Sequence, residues 1–162
     1  MAAREATDET TGTAAGAAAA RTAGEQPRQF IAELFTSFTR EIVADDGDPG
    51  PVIDRYYTPD VVQIADGIRL DRDRLVAHVR PVRKNLADFA FEVHEALRDG
   101  ERIAARFTIR ATDRKGRRTA TEVHLFGELA PDGRICRTHQ ISRTLKDPGA
   151  PGEVAGGKEE GS

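Results

Sequence analysis

Glu122, His124, His139 and Arg143 are the residues of this 162-residue chain whose types and spacing best suit chemistry. A carboxylate can remove a proton, an imidazole can return it, and a guanidinium can neutralise the negative charge that develops between the two steps. Burial would raise a glutamate pKa into the useful range. Thr119 to Leu145 reads as the β-hairpin that would bring the four together. If Asp132-Gly133 is its two-residue loop, Glu128 faces Arg137, Phe126 faces His139, His124 faces Ile141 and Glu122 faces Arg143. Two opposite-charge pairs result, and such pairs favour a register. The same pairing also has a purely structural meaning, because buried charges are usually paired: Glu122 with Arg143, and His124 hydrogen-bonded beside them.

The preceding turn decides which side of the sheet these groups occupy. Centring it on Lys115-Gly116 places Phe107 opposite His124 and Ile109 opposite Glu122. One face then carries Ile103, Ala105, Phe107, Ile109, Phe126 and Ile141 around the four polar groups, and should meet the helices. The other carries Arg102, Arg106, Thr108, Arg110, Thr138, Gln140 and Ser142, with Val123 and Leu125 as apolar islands. Any even-length turn keeps this grouping; an odd-length loop or a bulge breaks it. The strand Phe89 to Leu97 fits less cleanly. Strict pairing through Asp99-Gly100 turns Glu92 and His94 inward and the phenylalanines outward, and a bulge would reverse that.

Helices must precede this meander. Phe30, Leu34, Phe38 and Ile42, flanked by Ile31, Phe35 and Val43, form a broad apolar stripe that predicts a helix starting after Pro27. The breaker cluster Asp45 to Pro51 ends it. A short helix over Val52 to Tyr57 follows, then a β-rich run Val61 to Asp66, then a helix N-capped by Asp71 with Leu75, Val76 and Val79 inward and Pro81 near its end. Strands over Phe89 to Leu97, Arg102 to Thr112, Thr119 to Leu129 and Arg134 to Leu145 complete an α+β plan. The folded domain spans 28–147. Residues 1–27, rich in Ala, Thr and Gly, and 148–162, rich in Gly, Pro and Glu, read as disordered tails, with too little apolar surface to offset ordering.

Lesser candidates are Asp66, either a pocket base or a turn aspartate before Gly67, and Tyr56 and Tyr57, phenols for the pocket or core packing. His78 is read as exposed. A zinc site from Glu122, His124 and His139 is conceivable, but no ligand spacing supports it. Arg114 to Arg118 is a solvated hairpin tip. Net charge is −3, which points to neither nucleic acid nor membrane. The single cysteine, Cys136, excludes an internal disulfide and fits a reducing cytoplasm. No run approaches the roughly 18 apolar residues of a membrane span. Glu5, Asp8 and Glu9 stand where a signal peptide would be positive.

The amphipathic helix Phe30 to Val43, the segment Tyr56-Tyr57-Thr58-Pro59-Asp60-Val61-Val62, the helix Asp71 to Val79 and the closing Pro131-Asp132-Gly133-Arg134-Ile135 together resemble a nuclear transport factor 2-like domain of the SnoaL-like polyketide cyclase and ketosteroid isomerase kind. The resemblance covers about Arg28 to Leu145. It implies a curved antiparallel sheet wrapped around N-terminal helices into a cone with an apolar cavity. It also implies homodimers paired through the outer sheet face, and either a cofactor-independent isomerase, cyclase or dehydratase or a non-catalytic binding module. A small apolar molecule is the implied ligand, with Tyr57, Phe107, Phe126 and Ile141 as contacts. Glu122 or Asp66 would act as base, His124 or His139 as acid, and Arg143 as oxyanion partner. Where SnoaL-like cyclases carry an aspartate on the last strand, counting from Ile135 finds His139 and Arg143. Asp66 lies one position from the place of the ketosteroid isomerase base.

Overall fold

The computed structural model describes residues 12–146, with side chains from residue 26 onward. Three helices, α1 (Gly12–Ala44), α2 (Gly50–Tyr56) and α3 (Arg72–Asn85), are interleaved with β1 (Tyr57–Ala65) and β2 (Ile68–Leu70). The meander β3 (Leu86–Asp99), β4 (Arg102–Asp113), β5 (Arg118–Leu129) and β6 (Ile135–Leu145) follows. The six strands form one curved, unclosed sheet in the order β2-β1-β6-β5-β4-β3. The class is the expected α+β. One pair departs from the antiparallel expectation: β1 runs parallel to β6, because the chain crosses from the first edge through α3 before building the meander.

The helix expected after Pro27 begins earlier, at Gly12, and passes through Pro27. Alanine is the strongest helix former, and the residues before Pro27 are rich in it. The parts of the expected tails at 1–11 and 148–162 lie outside the described residues. Among the described side chains, packing starts at Phe30 and Ile31, and Ile31 and Ile42 are the fully buried ones of α1. Asp71 caps α3 as expected, accepting from the Arg74 backbone N–H at 2.9 Å. Leu75 and Val79 are buried, and Pro81 sits inside the helix, which continues to Asn85. Arg83 fastens α3 to the end of α1 by donating to the carbonyls of Ile42 (2.6 Å) and Gly47.

Three local irregularities set the faces of the sheet. Between β4 and β5, the Asp113 N–H donates to the Arg117 carbonyl, leaving a three-residue loop with Gly116 at φ +80°. The Asp113 carboxylate accepts the backbone N–H of both Lys115 and Arg117 at 2.9 Å and holds that loop closed. The odd loop places Phe107 opposite Val123 and Arg106 opposite His124, one step from the expected register. Between β5 and β6 the loop is again odd, with Ala130 N–H donating to the Arg134 carbonyl, but a bulge follows at Cys136. The two offsets cancel, and Glu122–Arg143, His124–Ile141, Phe126–His139 and Glu128–Arg137 are opposite as expected. In β3 a bulge at His94 brings Val93 opposite Phe107 and Phe91 opposite Ile109, so both face the helices.

Candidate functional site

The helix-facing side of the sheet encloses a cavity of about 300 Å³, at the small end of ligand sites. Aromatic rings from three elements make one wall. Phe35 of α1 stacks on Phe107 of β4, centroids 5.2 Å apart, and on Phe91 of β3 at 6.0 Å. Phe38 meets Tyr57 edge-on at 5.4 Å. Val123 and Leu125, read from the sequence as outward islands, are 2% exposed and line the cavity. Polar atoms come from neutral side chains on β1 and β6, Gln63, Thr138 and Gln140, from Thr39 of α1, and from Tyr57 and His78. Among the described residues no Asp, Glu, Lys or Arg side chain lines it. Burial alone pushes the Tyr57 phenol well above its usual range, so it stays protonated as a donor at any physiological pH.

The four polar residues expected in the pocket lie on the opposite face. The odd loop after β4 flips β5, and β6 follows it, so Glu122, His124, His139 and Arg143 join Arg106 on the outer surface. There Glu122, His124, Arg143 and Arg106 form a compact ionic cluster. Glu122 accepts from Arg143 Nε at 2.5 Å and from an Arg106 guanidinium N–H at 3.1 Å, with His124 Nε2 3.6 Å away. Arg106 reaches on to Glu95 at 3.3 Å. These partners cover Glu122 to 6% exposure, and Arg143 foremost holds its carboxyl down at about 2. That is a locked carboxylate, the opposite of a base tuned toward neutrality. His139 stands opposite Phe126 and exposed.

Phe126 and Ile141, expected as ligand contacts, are 71% and 65% exposed on this same outer face. Tyr57 and Phe107, the other two, do line the cavity. Asp66, at φ +50° in the turn after β1, accepts from the Ser142 backbone N–H at 2.7 Å and its hydroxyl at 2.5 Å. Those two bonds lower its pKa and tie β1 to β6; it does not line the cavity. Tyr56 is turned aside, donating to Glu41 at 2.6 Å, and its phenol is pushed up to about 12 by burial and that carboxylate. His94 sits at the β3 bulge, 2.7 Å from the Thr108 hydroxyl. No cluster of three or more metal-ligating side chains occurs among the described residues.

Sequence reasoning passed over Gln63, Thr138, Gln140 and His78 as cavity residues. His78 is exposed, as read from the sequence, and also touches the cavity: it follows Leu75 by three positions on α3, beside Val79 and Val82. Thr138 and Gln140 were placed on the solvent face by the loop parity that also misplaced Glu122.

The sequence model of the SnoaL-like domain family matches residues 37–138. An uncharacterized protein of Schizosaccharomyces pombe is 25% identical over 130 residues, covering 80% of this chain and 95% of that protein. Among solved structures, IdmH, a candidate polyketide cyclase from Streptomyces antibioticus, superposes with a TM-score of 0.55 at 20% identity, over 72% of this chain and 91% of its own. AclR, a candidate hydroxylase from Streptomyces galilaeus, gives a TM-score of 0.57 at 16% identity over 74% and 90%. An NTF2-like protein of unknown function from Exiguobacterium gives 0.55 at 13% over 68% and 96%. At these identities the likeness is one of fold.

Proposed function

The chain belongs to the SnoaL-like domain family, and from that premise we propose that it binds a small, largely apolar molecule in the cone between the helices and the inner sheet face. The observation that carries this reading is the cavity itself, walled by Phe35, Phe91 and Phe107 and closed by buried Val123 and Leu125. Open apolar volume of this kind is costly unless something fills it. The test is a titration with 1-tetralone, a bicyclic ketone, followed by the methyl NMR signals of Val123 and Leu125. Saturable shifts at both support the reading; signals unmoved at millimolar ketone refute it.

A catalytic reading, cofactor-independent proton transfer of the isomerase, cyclase or dehydratase type, is favoured by one observation: His78 brings an imidazole to the cavity wall. Glu122, His124, His139, Arg143 and Asp66 do not line that cavity, so the proton would be carried by His78, with the Tyr57 hydroxyl as a donor to an oxygen. Protein-dependent deuterium uptake beside the carbonyl of 1-tetralone, abolished in His78→Ala, is the expected result. Uptake equal in wild type and variant removes His78 from the role.

We further propose that two copies pair through the outer sheet face. Its support is an apolar row across the strands: Leu97, 74% exposed, next to Ala104, then Phe126, with Ile141 beside it. Large apolar side chains grouped on one face mark interaction surfaces.

A further inference from the structure

We propose that the cleft between the end of α1, the end of α3 and the β4–β5 loop binds a phosphate monoester of a small, soluble, polar molecule. The cleft shares no lining residue with the apolar cavity and does not depend on what that cavity holds.

Arg80, Arg83 and Lys84 stand at i, i+3 and i+4 near the end of α3, and so share one face. Arg114 joins them from the β4–β5 loop. Its backbone N–H donates to the Asn85 carbonyl at 2.9 Å and pins that loop to the helix end. The four cations line an open cleft of about 650 Å³ together with Asp46 and Asp48 from the α1–α2 link. Four cations against two carboxylates leave an excess of two positive charges. A phosphate monoester carries about −1.5 to −2 at neutral pH and matches that excess. A helix C-terminus attracts cations on its own account, but that does not bring Arg114 to the same place from another element.

Arg83 supplies a second, independent observation. It is 8% exposed, and its Nε and Nη1 donate to the carbonyls of Ile42, at 2.6 Å, and Gly47. Its Nη2 has no hydrogen-bond partner among the described residues. The C-terminal end of a helix such as α1 offers roughly half a unit of negative charge, so the buried guanidinium is compensated only in part. Among the described residues none of the four cations forms an ion pair. Arg80 and Lys84, four residues apart, also repel each other. A phosphate among them supplies the missing counter-charge and accepts charge-assisted hydrogen bonds.

The cleft is larger than a phosphate group and falls in the range of small-molecule sites. Its lining is mostly charged, so the group that carries the phosphate is polar. Asp46 and Asp48 are acceptors for hydroxyls on that group.

The test is a backbone-amide NMR titration of the full chain with glucose 6-phosphate, inorganic phosphate and glucose, at ionic strength held constant with sodium chloride. Glucose 6-phosphate is expected to shift the amides of Gly47, Arg80, Lys84 and Arg114 saturably, with half-saturation at about 1 mM or below. Glucose should leave them unmoved. Arg83 is kept intact because it fastens α3 to α1. Arg80→Gln and Arg114→Gln change exposed side chains and should each weaken binding about fivefold or more. Arg118→Gln, equally exposed but outside the cleft, should not weaken it. Vesicles of phosphatidylcholine with phosphatidic acid should capture no more chain than phosphatidylcholine alone. Amides unmoved by glucose 6-phosphate, or moved by inorganic phosphate only, overturn the monoester assignment. Equal weakening by Arg118→Gln shows a diffuse field in place of a site, and capture by the acidic vesicles shows a lipid headgroup in place of a soluble ligand; either overturns the proposal.

Discussion

Arg143 donates to Glu122 at 2.5 Å across the outer face of β5 and β6, while Arg106 takes the other carboxylate oxygen at 3.1 Å from the β4 side. Three strands are thereby joined through one buried carboxylate. The bond to Arg143 is the largest cause of the low Glu122 pKa, about 2 against an ordinary 4.5.

A pH dependence follows. The folded pKa is depressed, so the stabilisation is fully present above the unfolded value near 4.5 and is lost as pH falls from there through about 2. Urea unfolding of wild type and Glu122→Gln should therefore show a constant gap above about pH 5 that closes between 4.5 and 2. A gap independent of pH over that window would show that the pair does not titrate with folding.

The three-residue loop after β4 determines which side of β5 is buried. Deleting Lys115 leaves an even loop and sets it against the packing of Val123 and Leu125, both 2% exposed. Each such side chain is worth about 1.5–3 kcal/mol when buried. The deletion should cost about 3 kcal/mol or more in urea-monitored stability. A variant that unfolds at the wild-type midpoint would contradict the role given to loop parity.

Gly127 is needed for close approach. A Cβ built there would stand 2.9 Å from Ile103 Cγ1 and 3.4 Å from the Arg137 carbonyl oxygen. Gly127→Ala should destabilise by about 1–3 kcal/mol, as overpacking does. Combining it with Ile103→Ala, which removes both Cγ1 and the Cδ1 at 3.1 Å, should cost less than the sum of the two single changes, since the second makes room for the first.

Pairing of two copies through the outer face can be weighed by sedimentation. Phe126→Asp puts a charge in the middle of the apolar row and should weaken self-association more than tenfold without changing thermal stability of the monomer by more than a degree or two. Wild-type chains that sediment as monomers at tens of micromolar would end the proposal directly.

Much of the fold was legible because strong local signals agreed: the stripe Phe30 to Ile42, the cap at Asp71, and Asp-Gly or Lys-Gly turns at each hairpin. The candidate site was not, and the reason is parity. A turn tripeptide and a turn dipeptide look alike when both contain a glycine of positive φ, yet they invert every side chain that follows. Between β5 and β6 the Cys136 bulge restores what the odd loop changes; between β4 and β5 no bulge intervenes. Val123 and Leu125 were the clue. Two adjacent same-face apolar residues with no apolar neighbours on the solvent side argue that the register is off by one.

The separation of the two faces has a practical consequence for handling the protein. Ions compete with the Glu122–Arg143–Arg106 cluster in water, whereas among the described residues no Asp, Glu, Lys or Arg lines the cavity wall. Raising the sodium chloride concentration therefore screens the ion pairs of the exterior.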